Sequence, residues 1–135
     1  SIYGKTWSHM FDEFVHKYEN LRGTLGDVDY REQYPESWLG EQLAMVSSLM
    51  QMREPLGHDR HFFYVESGGW DTHLNQPQAD VELIPELNNG LESFANATKA
   101  QGLWNDVLVI VASEFGRTFM ANSGYGTDHG WGGKS

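Results

Sequence analysis

Three stretches of this 135-residue sequence concentrate side chains that can bind a cation or move a proton. The first is Glu66-Ser67-Gly68-Gly69-Trp70-Asp71-Thr72-His73, and the second is Ser113-Glu114-Phe115-Gly116-Arg117-Thr118. The third is Gly126-Thr127-Asp128-His129-Gly130-Trp131-Gly132-Gly133. A carboxylate oxygen beside an imidazole nitrogen suits a borderline divalent cation, so Asp71 and His73 read as ligands for zinc, with manganese or iron as other fits. Asp128 and His129 offer the same two donors, although an Asp among glycines also serves to close an Asx-turn. Glu114 follows an unbroken apolar run, where a charge needs a partner, and is a further candidate ligand. Arg117 is either that partner, in a salt bridge, or a clamp for an oxyanion or phosphate, which its bidentate fork suits.

Several chemistries are excluded. The chain has no Cys, hence no disulfide framework, thiolate ligand or thiol nucleophile. It has no Gly-x-Ser-x-Gly elbow, P-loop or dinucleotide glycine fingerprint. Nine Lys and Arg against 19 Asp and Glu leave a net charge of -10. Such a chain repels polyphosphate, so a nucleic-acid partner is not expected. The longest apolar run, Val107 to Ala112, falls far short of the roughly 20 residues of a membrane span.

The elements that must position these residues follow from periodicity. Trp7, Met10, Phe11, Phe14, Tyr18 and Leu21 recur at helical steps over 6–21, and Gly23 and Gly26 stop the pattern. A second helix is expected from about Ser37 to Arg53, with Leu39, Leu43, Val46 and Leu49 or Met50 on one face, and a third from about Gln78 to Gln101, closed by Gly102. His61 to Glu66 and Val107 to Ala112 read as strands, the latter apolar on both faces like the middle of a covered parallel sheet. Strand, helix and strand then make a right-handed crossover. The expected class is therefore α/β, a parallel sheet with flanking helices whose carboxyl edge gathers the three loaded stretches. His9, His16, His58 and His61 lie away from that edge, and Met45, Met50 and Met52 read as core.

The three motifs, in this order and with a helix of this size between the first two, resemble domain-of-unknown-function family 1501 of the alkaline phosphatase and sulfatase-like superfamily. The likeness covers roughly residues 38–133, with 1–37 a loosely similar helical lead-in. It implies an alkaline phosphatase-like fold with divalent metal, zinc or manganese, at the carboxyl edge of the sheet. By that likeness Asp71, His73 and His129 belong to one metal site and Glu114 to a second. Phe115 stands where the second site's His is expected. A competing alignment sets Asp128-His129 on the Asp-His pair of the second site.

The superfamily draws its nucleophile from an N-terminal strand and helix start that nothing here matches. The chain therefore reads as 1–135 of a single α/β domain, or as the C-terminal part of a larger one that carries the metal half of a site and is inactive alone. The expected function is a metal-dependent hydrolase-like domain for small phosphate or sulfate esters, with Arg117 steadying the anion. The other reading is a non-catalytic binding or surface-assembly module of the same fold. The resemblance also implies an exported or periplasmic protein; the expected partner is the remainder of its own chain or a second copy, since two strands bury little core and exposed edges invite pairing.

Overall fold

A computed structural model describes residues 30–53 and 60–132, together with Gly23. The helix expected over residues 6–21 lies outside them. Trp38–Gln51 form α1. Ser37 starts it from extended backbone, its hydroxyl accepting the Gly40 N–H at 3.1 Å. Such a cap is worth about 1 kcal/mol. Leu39, Leu43, Val46 and Met50 are buried along one face, so Met50 and not Leu49 closes the apolar stripe.

Gln76–Ala100 form α2, which begins two residues earlier than its periodicity implies. Pro77 sits in the first turn, where a missing N–H costs nothing. Pro85 lies within the helix and is exposed. Only the C-terminal half of α2 is buried in the core: Gly90, Phe94, Ala97 and Thr98 are buried, whereas Val81 and Ile84 of the expected apolar face are open to solvent. The helix ends at Gly102, whose φ of 72° lets its N–H reach Lys99 O while Leu103 N–H reaches Thr98 O.

The two helices pack against each other at Gly90. A Cβ there would stand 3.2 Å from Leu43 Cδ1 and 3.3 Å from Leu39 Cδ2, so hydrogen is what lets α1 come this close. Around this contact Tyr34, Leu39, Leu43, Ala44, Val46, Met50, Phe94 and Ala97 make one core. Burying a side chain such as Phe94 contributes about 1.5–3 kcal/mol. Tyr34 reaches in from the segment before α1, its hydroxyl 2.6 Å from Ser47 Oγ. Short 3-10 turns at Arg31–Gln33 and Trp104–Asp106 flank the pair.

The expected α/β class and parallel sheet are not what the chain forms. Among the described residues the regular structure is helical and there is no strand, only isolated bridges. Residues 61–66 and 107–112 form no ladder with another described segment. Phe63, Val65 and Val107 touch the core, but Phe62, Tyr64, Leu108 and Ile110 are 76% or more exposed. The backbone of Glu66 is paired by a side chain: Gln42 accepts its N–H at 3.0 Å and donates to its C=O at 2.8 Å. Apolar, β-branched composition makes a segment fit for a sheet, but the ladder depends on a neighbour that no single segment supplies. With no ladder among the described residues, they form no crossover and no carboxyl sheet edge. No helix among the described residues is long and apolar enough to cross a membrane.

Candidate metal centre

The three loaded stretches meet at the N-terminus of α2. The loop 122–127 is fastened there by backbone bonds: Gly124 O and Tyr125 O accept the N–H groups of Asn75 and Gln76 at 3.0 and 2.9 Å. Two of the amides that every helix start leaves without an intrahelical acceptor are thereby satisfied, and no side-chain cap is used. Thr127 N–H reaches Thr72 O at 3.1 Å, and the Thr127 hydroxyl meets Gln76 Oε1 at 2.7 Å. Leu74 and Tyr125 form a bridge. Close approach requires Gly126, because a Cβ there would overlap the backbone carbonyl of His73.

The stretch around Arg117 pairs with the end of the third motif. Bridges join Arg117 to His129 and to Gly132, and Thr118 N–H donates to Asp128 O at 2.9 Å. Backbone pairing thus carries His129 and Asp128 to within reach of Asp71 and His73.

At the centre is Asp71. Its Oδ1 lies 2.8 Å from His129 Nε2, 3.0 Å from His73 Nε2 and 3.0 Å from an Arg117 terminal nitrogen. The His129 hydrogen bond above all, helped by the charges of both imidazoles and by Arg117, holds the Asp71 carboxyl below its ordinary range. It is thus kept as the carboxylate a cation needs. One donor atom from each of Asp71, His73 and His129 lies within 4.8 Å of the others. All three residues are exposed at the surface, so sides of the cluster face water.

This donor set fits a divalent metal. Two imidazole nitrogens and one carboxylate oxygen with an open side match the three protein ligands of catalytic zinc sites, and equally a site for iron or manganese. With metal–donor bonds of about 2.0–2.1 Å, tetrahedral donors stand about 3.3–3.4 Å apart. Here the three donors are held together by hydrogen bonds to Asp71 Oδ1 at 2.8 and 3.0 Å.

Asp128 is placed differently. Its Oδ1 faces His73 Nδ1 at 3.1 Å, on the side of the ring away from Asp71. Asn122 Nδ2 donates to the same oxygen at 3.2 Å and to His73 O at 2.9 Å. These bonds, His73's first, keep the Asp128 carboxyl low as well.

Glu114 does not join the cluster. It is exposed, and the group that feels its charge is the Tyr64 hydroxyl, whose pKa Glu66 chiefly and Glu114 in smaller part push up. Arg117 does join, but not as an open clamp. One terminal nitrogen donates to Trp70 O at 2.7 Å and to Asp71, and the other to Thr127 O and Oγ1. Its guanidinium braces the first motif against the third.

Two further residues, neither of them among the converging donors, shape the site. Phe115 stacks on the His129 ring with centroids 4.0 Å apart, and the His73 ring stacks on it at 5.1 Å. Asn122, whose side-chain oxygen also accepts the N–H groups of Gly124 and Gly126, is the hub of its loop. The Asn-Ser-Gly turn signature was its only local sign.

A family model described as "Protein of unknown function (DUF1501)" matches residues 27–134. No curated protein and no solved structure matches the chain.

Proposed function

The chain belongs to the DUF1501 family, and from that premise we propose that it is a metal-dependent, hydrolase-like domain for small phosphate or sulfate esters. The observation that carries this reading is the meeting of Asp71 with His73 and His129, donors drawn from two distant motifs onto one oxygen. The ester class rests on the likeness of the motif order to the alkaline phosphatase and sulfatase-like superfamily. So does placement outside the cytoplasm or in the periplasm. Asp71, His73 and His129 would hold zinc or manganese, which when bound polarises an ester oxygen and lowers the pKa of an attacking group.

The chain's own residues prepare that site. Asp71 stays ionised, the stacked rings of Phe115 and His73 restrain His129, and Arg117 holds Asp71 in place. The exposed side of the cluster is where a small ester would enter.

One observation favours the other reading, a non-catalytic binding or surface-assembly module. Arg117, the group suited to steady an oxyanion, already donates to three protein partners.

The decisive experiment is a thermal melt with excess zinc or manganese and then with chelator. An ion that binds only the folded chain at 100 times its Kd stabilises it by about 2.7 kcal/mol. The expected result is a raised midpoint that Asp71→Ala abolishes, and an unchanged midpoint refutes the metal reading. Aryl phosphate and aryl sulfate assays on a longer segment then separate the two functions. Turnover lost in Asp71→Ala supports the hydrolase, and metal binding without turnover supports the module.

A further inference from the structure

The Asp128–His73 contact assigns Asp128 a place behind the metal site. We propose that Asp128 is a positioning residue, not a ligand: its carboxylate holds His73 by Nδ1 and so aims Nε2 at the cation. The inference rests on the metal reading given above and deepens it. An imidazole has two nitrogens, and the one that faces a metal is set by the hydrogen bond the other makes. His73 Nε2 faces Asp71 and the cluster, whereas Nδ1 faces Asp128 at 3.1 Å. The Asp128 oxygen that meets Nδ1 is thus on the far side of the ring from the shared donors, and Asp128 is not one of the three that converge.

The carboxylate is itself held. Asn122 Nδ2 donates to that same oxygen and to the His73 carbonyl, so one amide grips both the ring's partner and the ring's own backbone. Asn122 Oδ1 accepts from Gly124 and Gly126, which ties this grip to the loop that caps α2. Asn122, Asp128 and His73 form a relay of orientation in which each fixes the next. Outer carboxylates of this kind commonly change metal affinity by about 10- to 100-fold without altering the ligand set.

Cobalt(II) titration of the full chain tests this by both affinity and visible spectrum, since the spectrum reports the coordinated atoms and a merely structural role does not move it. Asp128→Ala is expected to weaken cobalt binding by about 10- to 100-fold with the band positions of the wild type. Asp128→Asn, which keeps an oxygen acceptor for Nδ1–H, is expected to restore most of the affinity and also serves should the alanine variant fold poorly. Unchanged affinity in Asp128→Ala overturns the proposal. So does a shifted spectrum in both variants, which would make Asp128 a ligand. Wild-type protein that binds no cobalt defeats the underlying metal reading, an outcome distinct from wild-type binding with an indifferent Asp128→Ala.

Discussion

His129 Nε2 lies 2.8 Å from Asp71 Oδ1, although the two residues are 58 positions apart in the chain. Neither sits on a helix or a strand. What brings them together is backbone pairing between short irregular stretches, with the first turn of α2 as the anvil. The site is therefore only as firm as those pairings, and its stability and the metal affinity proposed for it should fall together when a pairing is broken.

The Arg117 side chain adds a further tie between the first and third stretches. Its guanidinium spans Trp70 O, Asp71 and Thr127, a geometry a single ammonium cannot copy. Arg117→Lys is expected to cost about 1–2 kcal/mol, read as a lower urea midpoint, together with a smaller metal-induced rise in melting temperature. A wild-type midpoint in the variant would contradict the bracing role.

Gly126 gives a steric test. Gly126→Ala forces a methyl group into the His73 carbonyl, and the loop or His73 must move. Overpacking of this kind costs about 1–3 kcal/mol. Gly68, whose added Cβ would meet nothing within 4 Å, is the control. Equal denaturant midpoints for Gly126→Ala and Gly68→Ala would refute the close approach.

Tyr34 predicts the alkaline behaviour of the core. Burial, the largest influence, pushes its hydroxyl above the ordinary value of 10.0, and the Ser47 hydrogen bond only partly opposes this. The folded value is raised, so the stabilisation is complete below the unfolded value and is lost as pH rises through the folded one. Urea midpoints should thus fall above about pH 10. Tyr34→Phe should shrink that fall, while losing about 1 kcal/mol at neutral pH with the Ser47 contact. Parallel pH curves for the two proteins would exclude Tyr34 as the cause.

Both described helices were legible because their apolar residues repeat at a period that local geometry imposes. Pro85 did not hide α2, since one lost hydrogen bond on an exposed face is outweighed by packing at Phe94 and Ala97. The sheet was misread for the converse reason. Val107 to Ala112 has the composition of a covered strand, yet among the described residues it pairs with no strand, and Leu108 and Ile110 stand 82% and 76% exposed. Hydrophobicity states what a segment would gain by being buried, not whether anything arrives to bury it.

The candidate site divides along the same line. Residue type and spacing alone made Asp71, His73 and His129 donors, since a carboxylate and two imidazoles carry that chemistry wherever they stand. Their grouping, the absence of Glu114 from it, the turning of Asp128 to the back of His73 and the spending of Arg117 on backbone carbonyls are properties of tertiary structure. Each depends on which of several available acceptors lies within hydrogen-bond range, about 3 Å. Only long-range backbone pairing sets that distance.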